Sequence, residues 1–324
     1  MAPGKNPRVA YVIDPGDDLT SEVRRVAREQ IDQAVDALAD PGDDLVGAVH
    51  DFRKRCKKLR GLVRLVRPAL GDHYRPANVT FRDAGRHVSG LRDAHALLGT
   101  FDDLLAARWE HLCPDGLPRV RRGLRARANE ASERASRSGD EIAAAVELLQ
   151  HARTSTGEWS LDEDGFDAIA GGLERTYRRG RKALRQAGER GATEDFHEYR
   201  KRTKDTWYHV RLLRRVAPSI IEPLERRFHD LADTVGDEHD LAVLGQQLRG
   251  QPDCFGGDDE VAAAMLLIDG ERADLQRRAI GLGSRLHAEG AAVFVDRVRA
   301  YWTAWQTWGD ELPAGEIAAI HETR

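Results

Sequence analysis

Eight residues of this chain, His50 to Lys57, return 147 positions later as His197 to Lys204. The two copies read His-Asp-Phe-Arg-Lys-Arg-Cys-Lys and His-Glu-Tyr-Arg-Lys-Arg-Thr-Lys. At the same step Arg64 falls on Arg211, Leu65 on Leu212, Arg67 on Arg214, Phe81 on Phe228, Asp83 on Asp230, Val88 on Val235, Asp93 on Asp240 and Leu97 on Leu244. The register therefore holds for about fifty residues, and the matched halves far exceed a solenoid unit of about 20 to 50 residues. The repeat predicts one fold built from two matched halves, 20-155 and 164-310, with a flexible arm at 1-19 and a tail at 311-324.

Apolar residues recur three and four apart almost throughout, and the alternation of half-buried strands is missing, so the expected fold class is all-α. A first helix is predicted from Leu19 to Leu38, capped by Thr20 or Ser21, while Val9 to Ile13 can dock locally. A second runs from about Asp44 to Arg67 and is stopped by Pro68; its counterpart runs from about Thr193 to Val216 and is stopped by Pro218. Third helices begin near Pro76 and Pro223, with breaks at Ser89-Gly90 and at Gly236. Long helical segments follow around 118-152 and 258-289, Thr154 to Gly165 separates the halves, and the last helix ends near Trp308.

The helical phase of the repeated segment decides where its charge points. At 100° per residue, Phe52, Cys56, Leu59, Leu62, Val63 and Val66 form one side and the core. His50, Arg53, Lys54, Lys57, Lys58, Arg60, Arg64 and Arg67 gather on the other. In the second copy Tyr199, Thr203, Thr206, Val210 and Leu213 face inward; His197, Arg200, Lys201, Lys204, Arg211, Arg214 and Arg215 face outward. The whole chain carries a formal charge of -4, yet these two outer faces read as nearly free of acids. Like charges at such spacing cost a few tenths of a kcal/mol per pair in an isolated helix, so an anionic partner is expected to offset them. Further basic residues lie on neighbouring helices: Arg175, Arg178, Arg179, Arg181, Lys182 and Arg185 at the start of the second half, Arg24, Arg25 and Arg28 on the first helix, and Arg82 and Arg86 on the third. Their convergence on one surface or channel is the expectation the fold must answer.

A His-x-x-Arg-x-x-x-Lys segment on a basic helix, followed about forty residues later by Leu-Arg-Asp-Ala or His-Asp-Leu, in two copies, resembles the CHAD family of conserved-histidine α-helical domains. The resemblance covers nearly all of residues 20 to 308. It implies two four-helix subdomains about a pseudo-twofold axis, with basic helices lining a central pore that binds inorganic polyphosphate. Carried over, the implied binding residues are His50, Arg53, Lys54, Lys57, Arg60 and Arg64 in the first half. In the second they are Arg178, Arg179, Arg181, Lys182, His197, Arg200, Lys201, Lys204 and Arg211, with Arg24, Arg28, Arg82, Arg86 and Arg214 as additional candidates. The second copy departs from the first at Asp205, Trp207 and Tyr208, so the two walls are expected to contribute unequally. Polyphosphate granules and polyphosphate-metabolising enzymes are the partners such a module would meet.

Chemistry narrows the alternatives. The alternating Glu-x-Glu-x-Lys strand of the triphosphate tunnel domain that often accompanies this family is missing, as are a phosphate-cradling Gly-rich loop and a nucleophile elbow. A binding module without catalytic residues or cofactor is therefore expected. Cys56, Cys113 and Cys254 show no paired spacing, which argues against a disulfide framework and a zinc site. No signal peptide or membrane span is legible, so a soluble, cytoplasmic protein is expected. A divalent-metal site drawing on His50, His87, His95, His197, His229 and His239 with Asp93 and Asp240 is one alternative, disfavoured by the surrounding arginines. Nucleic-acid binding is the other, and only Trp207 and Tyr208 offer it stacking platforms.

Overall fold

The computed structural model describes residues 11–16, 18–42, 44–108, 117–135 and 139–309, the side chains of 90–93, 108 and 135 excepted. The side chain of Asp93 and all of Cys113 thus lie outside the described residues. Among the described residues there are eleven α-helices and no strand, so the fold is all-α. The helices are α1 (Leu19–Ala39), α2 (Leu45–Leu65), α3 (Tyr74–His87), α4 (Gly90–Arg108), α5 (Leu117–Ala135) and α6 (Gly139–Ser155). They continue as α7 (Asp167–Arg190), α8 (Thr193–Leu212), α9 (Pro218–Gly250), α10 (Asp258–Leu286) and α11 (Ala291–Trp308).

Most ends follow local chemistry. Asp18, rather than Thr20 or Ser21, caps α1, its carboxylate accepting from the Ser21 N–H at 2.7 Å. Asp44 does the same for α2, accepting from the Gly47 N–H at 2.8 Å. Gly191 closes α7 with φ 65°, a left-handed conformation that glycine adopts without a Cβ penalty. Pro218 does not stop α8; it opens α9 in the first turn, where its missing N–H leaves no helical bond unmade. The break expected at Ser89-Gly90 separates α3 from α4, whereas Gly236 lies inside the continuous α9. An interior glycine costs only about 1 kcal/mol against alanine, too little to break a helix of 33 residues. The segment around 118-152 divides into α5 and α6.

Helices α1, α2, α3 and α6 pack on one another, and α7 packs on α8, α8 on α9, α9 on α10 and α10 on α7, with α11 against α7. The main core draws on both repeats: Phe52, Leu62 and Phe81 share one cluster with Leu173, Leu212, Phe228 and Phe294. The α4–α5 pair packs mainly on the second half, with a smaller contact of α4 on α2. Its Phe101, Leu104, Val120 and Leu124 pack with Leu244, Leu248, Phe255 and Ile268 of the second half. Each such side chain contributes about 1.5–3 kcal/mol on burial, so the halves stabilise each other.

Two glycines bring the basic helices together. A Cβ at Gly172 of α7 would overlap the Leu65 carbonyl of α2, and one at Gly61 of α2 would stand 3.0 Å from the Tyr208 Cβ of α8. Beside Gly61, the buried His209 ring donates from Nε2 to the Gly61 carbonyl at 3.0 Å. Part of the segment expected as a flexible arm is instead packed into the core. Tyr11, Val12 and Ile13 are at most 3% exposed, with the Ile13 N–H donating to the Leu212 carbonyl at 2.8 Å and the Tyr11 hydroxyl to the Lys58 carbonyl at 2.7 Å.

Three histidines tie this packing to pH. Burial pushes His209 down to about 3, as it does His239, and it pushes His287 down to about 4. All three are neutral when folded but protonate in the unfolded chain below about 6.5, so between that value and 3–4 the unfolded state holds more protons. Stability should accordingly fall as pH drops from neutrality through this window. Thermal unfolding midpoints recorded from pH 7.5 down to 4.5 should decrease steadily, and a His209→Gln chain, which keeps a donor but cannot titrate, should show a shallower slope. A flat midpoint across the window would remove this account.

Candidate anion-binding cleft

The close crossing of α2 and α8 leaves a cleft of about 230 Å³ along their outer faces. From α2 it is lined by Lys57, Arg60 and Arg64, one turn apart; from α8 by Arg200, Lys201, Arg202, Lys204, Asp205 and Tyr208. Seven cations thus face one carboxylate. Asp205, its side chain 9% exposed, joins the two walls: it accepts from Arg64 of α2 and, at 3.1 Å, from Arg202 of α8. The outer face of α8, expected to be nearly free of acids, carries this residue and Glu198. Glu198 accepts from Lys201 at 2.7 Å and Arg202 at 2.6 Å and stands 3.6 Å from Arg179. Burial raises its pKa, but the Lys201 and Arg202 hydrogen bonds outweigh that and hold it below the ordinary carboxylate value.

The cation density leaves its mark on the lysine and arginines around the crossing. Burial, with Arg64 next, lowers Arg60 to about 10, while its Nε donates to the Asn78 side chain at 3.3 Å. Lys58, expected on the solvent face, is only 8% exposed, with its ammonium 5.4 Å from the centre of the Tyr11 ring. Burial first, then Arg211, Arg55 and Lys54, push it down to about 7. Its helical phase places it at the edge of the basic stripe; Tyr11, packed across that edge, takes it out of solvent. An anion entering the cleft would relieve this repulsion, because opposite charge favours the charged forms.

The structure gathers six of the expected site residues here, Lys57, Arg60, Arg64, Arg200, Lys201 and Lys204, and places the others around them or elsewhere. His50 and Lys54 are exposed and Arg53 half-buried on the preceding turns of α2, outside the cleft lining. His197 meets His239 of α9, their Nδ1 atoms 3.1 Å apart, and burial followed by Lys201 and Arg200 lowers its pKa. Arg200 also stands 3.9 Å from Asp240. Arg211 lies over the Trp207 ring, 5.7 Å from its centre, in an adjoining groove with Arg226, Arg227 and Asp230; its buried Nε has no hydrogen-bond partner among the described residues. Arg214 follows α8, half-buried.

The remaining basic residues do not converge on the cleft. Of the expected residues on α7, Arg179 turns toward α8, through Glu198, whereas Arg178, Arg181 and Lys182 line a separate cleft against α10. Arg24 donates from Nε to the Trp159 carbonyl at 2.7 Å and Arg28 to the Thr156 hydroxyl at 3.2 Å, so both fasten the segment between the halves to α1. Arg82 makes a fork with Asp83 at 2.8 and 3.0 Å, and Arg86 stands 3.7 Å from the same carboxylate. Arg202, Asp205 and Tyr208 were missed as site residues, although Arg202 sits in the repeated segment itself, four residues after Glu198 and three before Asp205.

The other readings find less support in the arrangement. Trp207 and Tyr208 are 6% and 5% exposed and packed on each other, which leaves no open aromatic face for a base. His95 bonds Ser132 and His229 faces Asp233 at 3.3 Å; among the described residues no group of three His, Cys, Asp or Glu side chains converges to hold a metal ion. No helix among the described residues is long and apolar enough to cross a membrane. Cys56 is buried and Cys254 exposed, both as free thiols.

No curated protein matches the sequence. The CHAD domain family matches residues 25–249, well over half of the 324-residue chain. That match takes in α2, α8 and every residue of the cleft between them, and the chain belongs to the CHAD domain family.

Proposed function

We propose that this protein binds inorganic polyphosphate in the cleft between α2 and α8, as a non-catalytic binding or targeting module. One observation carries the reading: two helices present seven cations against a single carboxylate in one narrow cleft. A flexible polyanion with about one charge per phosphate matches successive Lys and Arg side chains a turn apart. Arginine supplies planar forks for the non-bridging oxygens and lysine mobile point charges. Catalysis of phosphoryl transfer draws on carboxylates that hold metal ions, and the carboxylate lining this cleft is already engaged by Arg64 and Arg202. The polymer is thus the partner, and through it cytoplasmic polyphosphate granules and the enzymes that make or degrade polyphosphate.

Calorimetric titration with long-chain polyphosphate, single-stranded DNA and zinc in one buffer tests the reading. Polyphosphate should bind most tightly, and its association constant should fall steeply and linearly with salt on logarithmic axes, as counterion release dictates for nucleic acids. Equal affinity for DNA would overturn it.

A further inference from the structure

A groove of about 1140 Å³ lies where the end of α11 meets the turn between α8 and α9, and it shares no lining residue with either basic cleft. Tyr301, Trp305 and Trp308, spaced four and three residues apart, give it one face of α11. Val216, Pro218 and Ile220 line it from the turn and the start of α9. Its cation, Arg215, already bonds Asp14 at 3.1 Å, so the groove suits an apolar occupant rather than an anion. Among the described residues four large apolar side chains are exposed, and two of them, Trp308 at 47% and Ile220 at 44%, meet here. Trp305 is held in place from behind: a Cβ at Gly16 would stand 2.7 Å from its ring.

The chain itself supplies an occupant. Gly309 lines the groove and closes α11 with φ 65° and ψ -159°, a conformation essentially confined to glycine, so residues 310–324 leave from the groove's edge. They lie outside the described residues and beyond the family match at 25–249. Fully extended they would reach about 50 Å, against about 27 Å for the whole of α11, so the segment can return over that helix. Its apolar residues are Leu312 and, in a Glu-Ile-Ala-Ala-Ile run of helix-compatible composition, Ile317 and Ile320, which helical phase would put on one face.

We propose that segment 312–320 docks in this groove in cis, setting Leu312, Ile317 and Ile320 against Trp305, Trp308 and Ile220. A tether this short holds the segment at roughly millimolar effective concentration, which a second copy or a free peptide would have to exceed. The proposal is independent of what the basic cleft binds.

The test is amide hydrogen exchange on three full chains, native, I317D/I320D and I220S/W308S, each at low and high protein concentration. In the native chain amides 316–321 should exchange about tenfold or more slowly than an unstructured peptide, and equally so at both concentrations. Both variants should lose that protection. I317D/I320D alters the segment and leaves the groove intact; I220S/W308S alters the groove at two exposed positions and leaves the segment intact, so unfolding midpoints should stay near native in both. The Trp308 indole resonance should also shift in I317D/I320D. Exchange of 316–321 at the unstructured rate in the native chain overturns the proposal, and so does protection retained in I220S/W308S, which would place the segment elsewhere. Protection that grows with protein concentration assigns the groove to a second copy and overturns docking in cis.

Discussion

Reversing Lys57 and Lys204 to glutamate is expected to weaken long-chain polyphosphate binding by about 100-fold or more. These two lysines face the cleft from opposite walls, one on α2 and one on α8. A hydrogen bond to a charged group contributes about 1.5–3 kcal/mol, so two lost contacts remove about 3 kcal/mol at the low end. At about 1.4 kcal/mol per decade that is two orders of magnitude, before the repulsion of the introduced carboxylates is counted. The dependence on salt should become shallower as well, because fewer counterions are released. Neither residue belongs to the buried core, so helical content should stay native. Affinity within about threefold of native, at low salt where charge contacts are strongest, would place the polymer elsewhere.

Replacing Asp205 by alanine should move stability and binding in opposite directions. The carboxylate is 9% exposed and bridges Arg64 on one wall to Arg202 on the other. Its removal leaves two half-buried guanidinium groups facing each other, and breaking a buried ion pair on one side costs about 3–5 kcal/mol. The same change strips the cleft lining of its carboxylate, so the remaining cations should hold polyphosphate more tightly. Denaturant unfolding should show the lower stability, and titration at a temperature where the variant is folded should show the higher affinity. A variant that is destabilised and also binds more weakly would mean that Asp205 positions the cationic walls rather than opposing the ligand.

Local signals were legible and long-range ones were not. Helical phase alone put Lys57, Arg60 and Arg64 on one outer stripe, and the matched segment put Arg200, Lys201 and Lys204 on another, because 100° per residue acts within a single helix. The same rule turns Arg179 about 100° away from Arg178 around α7, so the split in which the one reaches toward Glu198 of α8 and the other lines the cleft against α10 was legible in the sequence. Lys58 is different. Its burial is due to Tyr11, 47 residues earlier, whose hydroxyl reaches the main chain of Lys58 itself. Gly236 stays helical inside the 33-residue α9 because one interior glycine costs only about 1 kcal/mol, a penalty that local reading of the sequence overrated.

The crossing of α4 and α5 into the second half bears on how the chain is made. Phe101, Leu104, Val120 and Leu124 find their covering partners more than a hundred residues later, on α9 and α10. On a ribosome, which releases the N-terminus first, this greasy hairpin emerges long before Leu244, Leu248 and Ile268 exist to receive it. The nascent first repeat must therefore wait with an adhesive surface open, and contacts of such wide sequence separation slow the final docking. Synthesis, rather than the finished fold, is where this architecture is most vulnerable to aggregation, and a chain interrupted between the repeats would keep that vulnerability permanently.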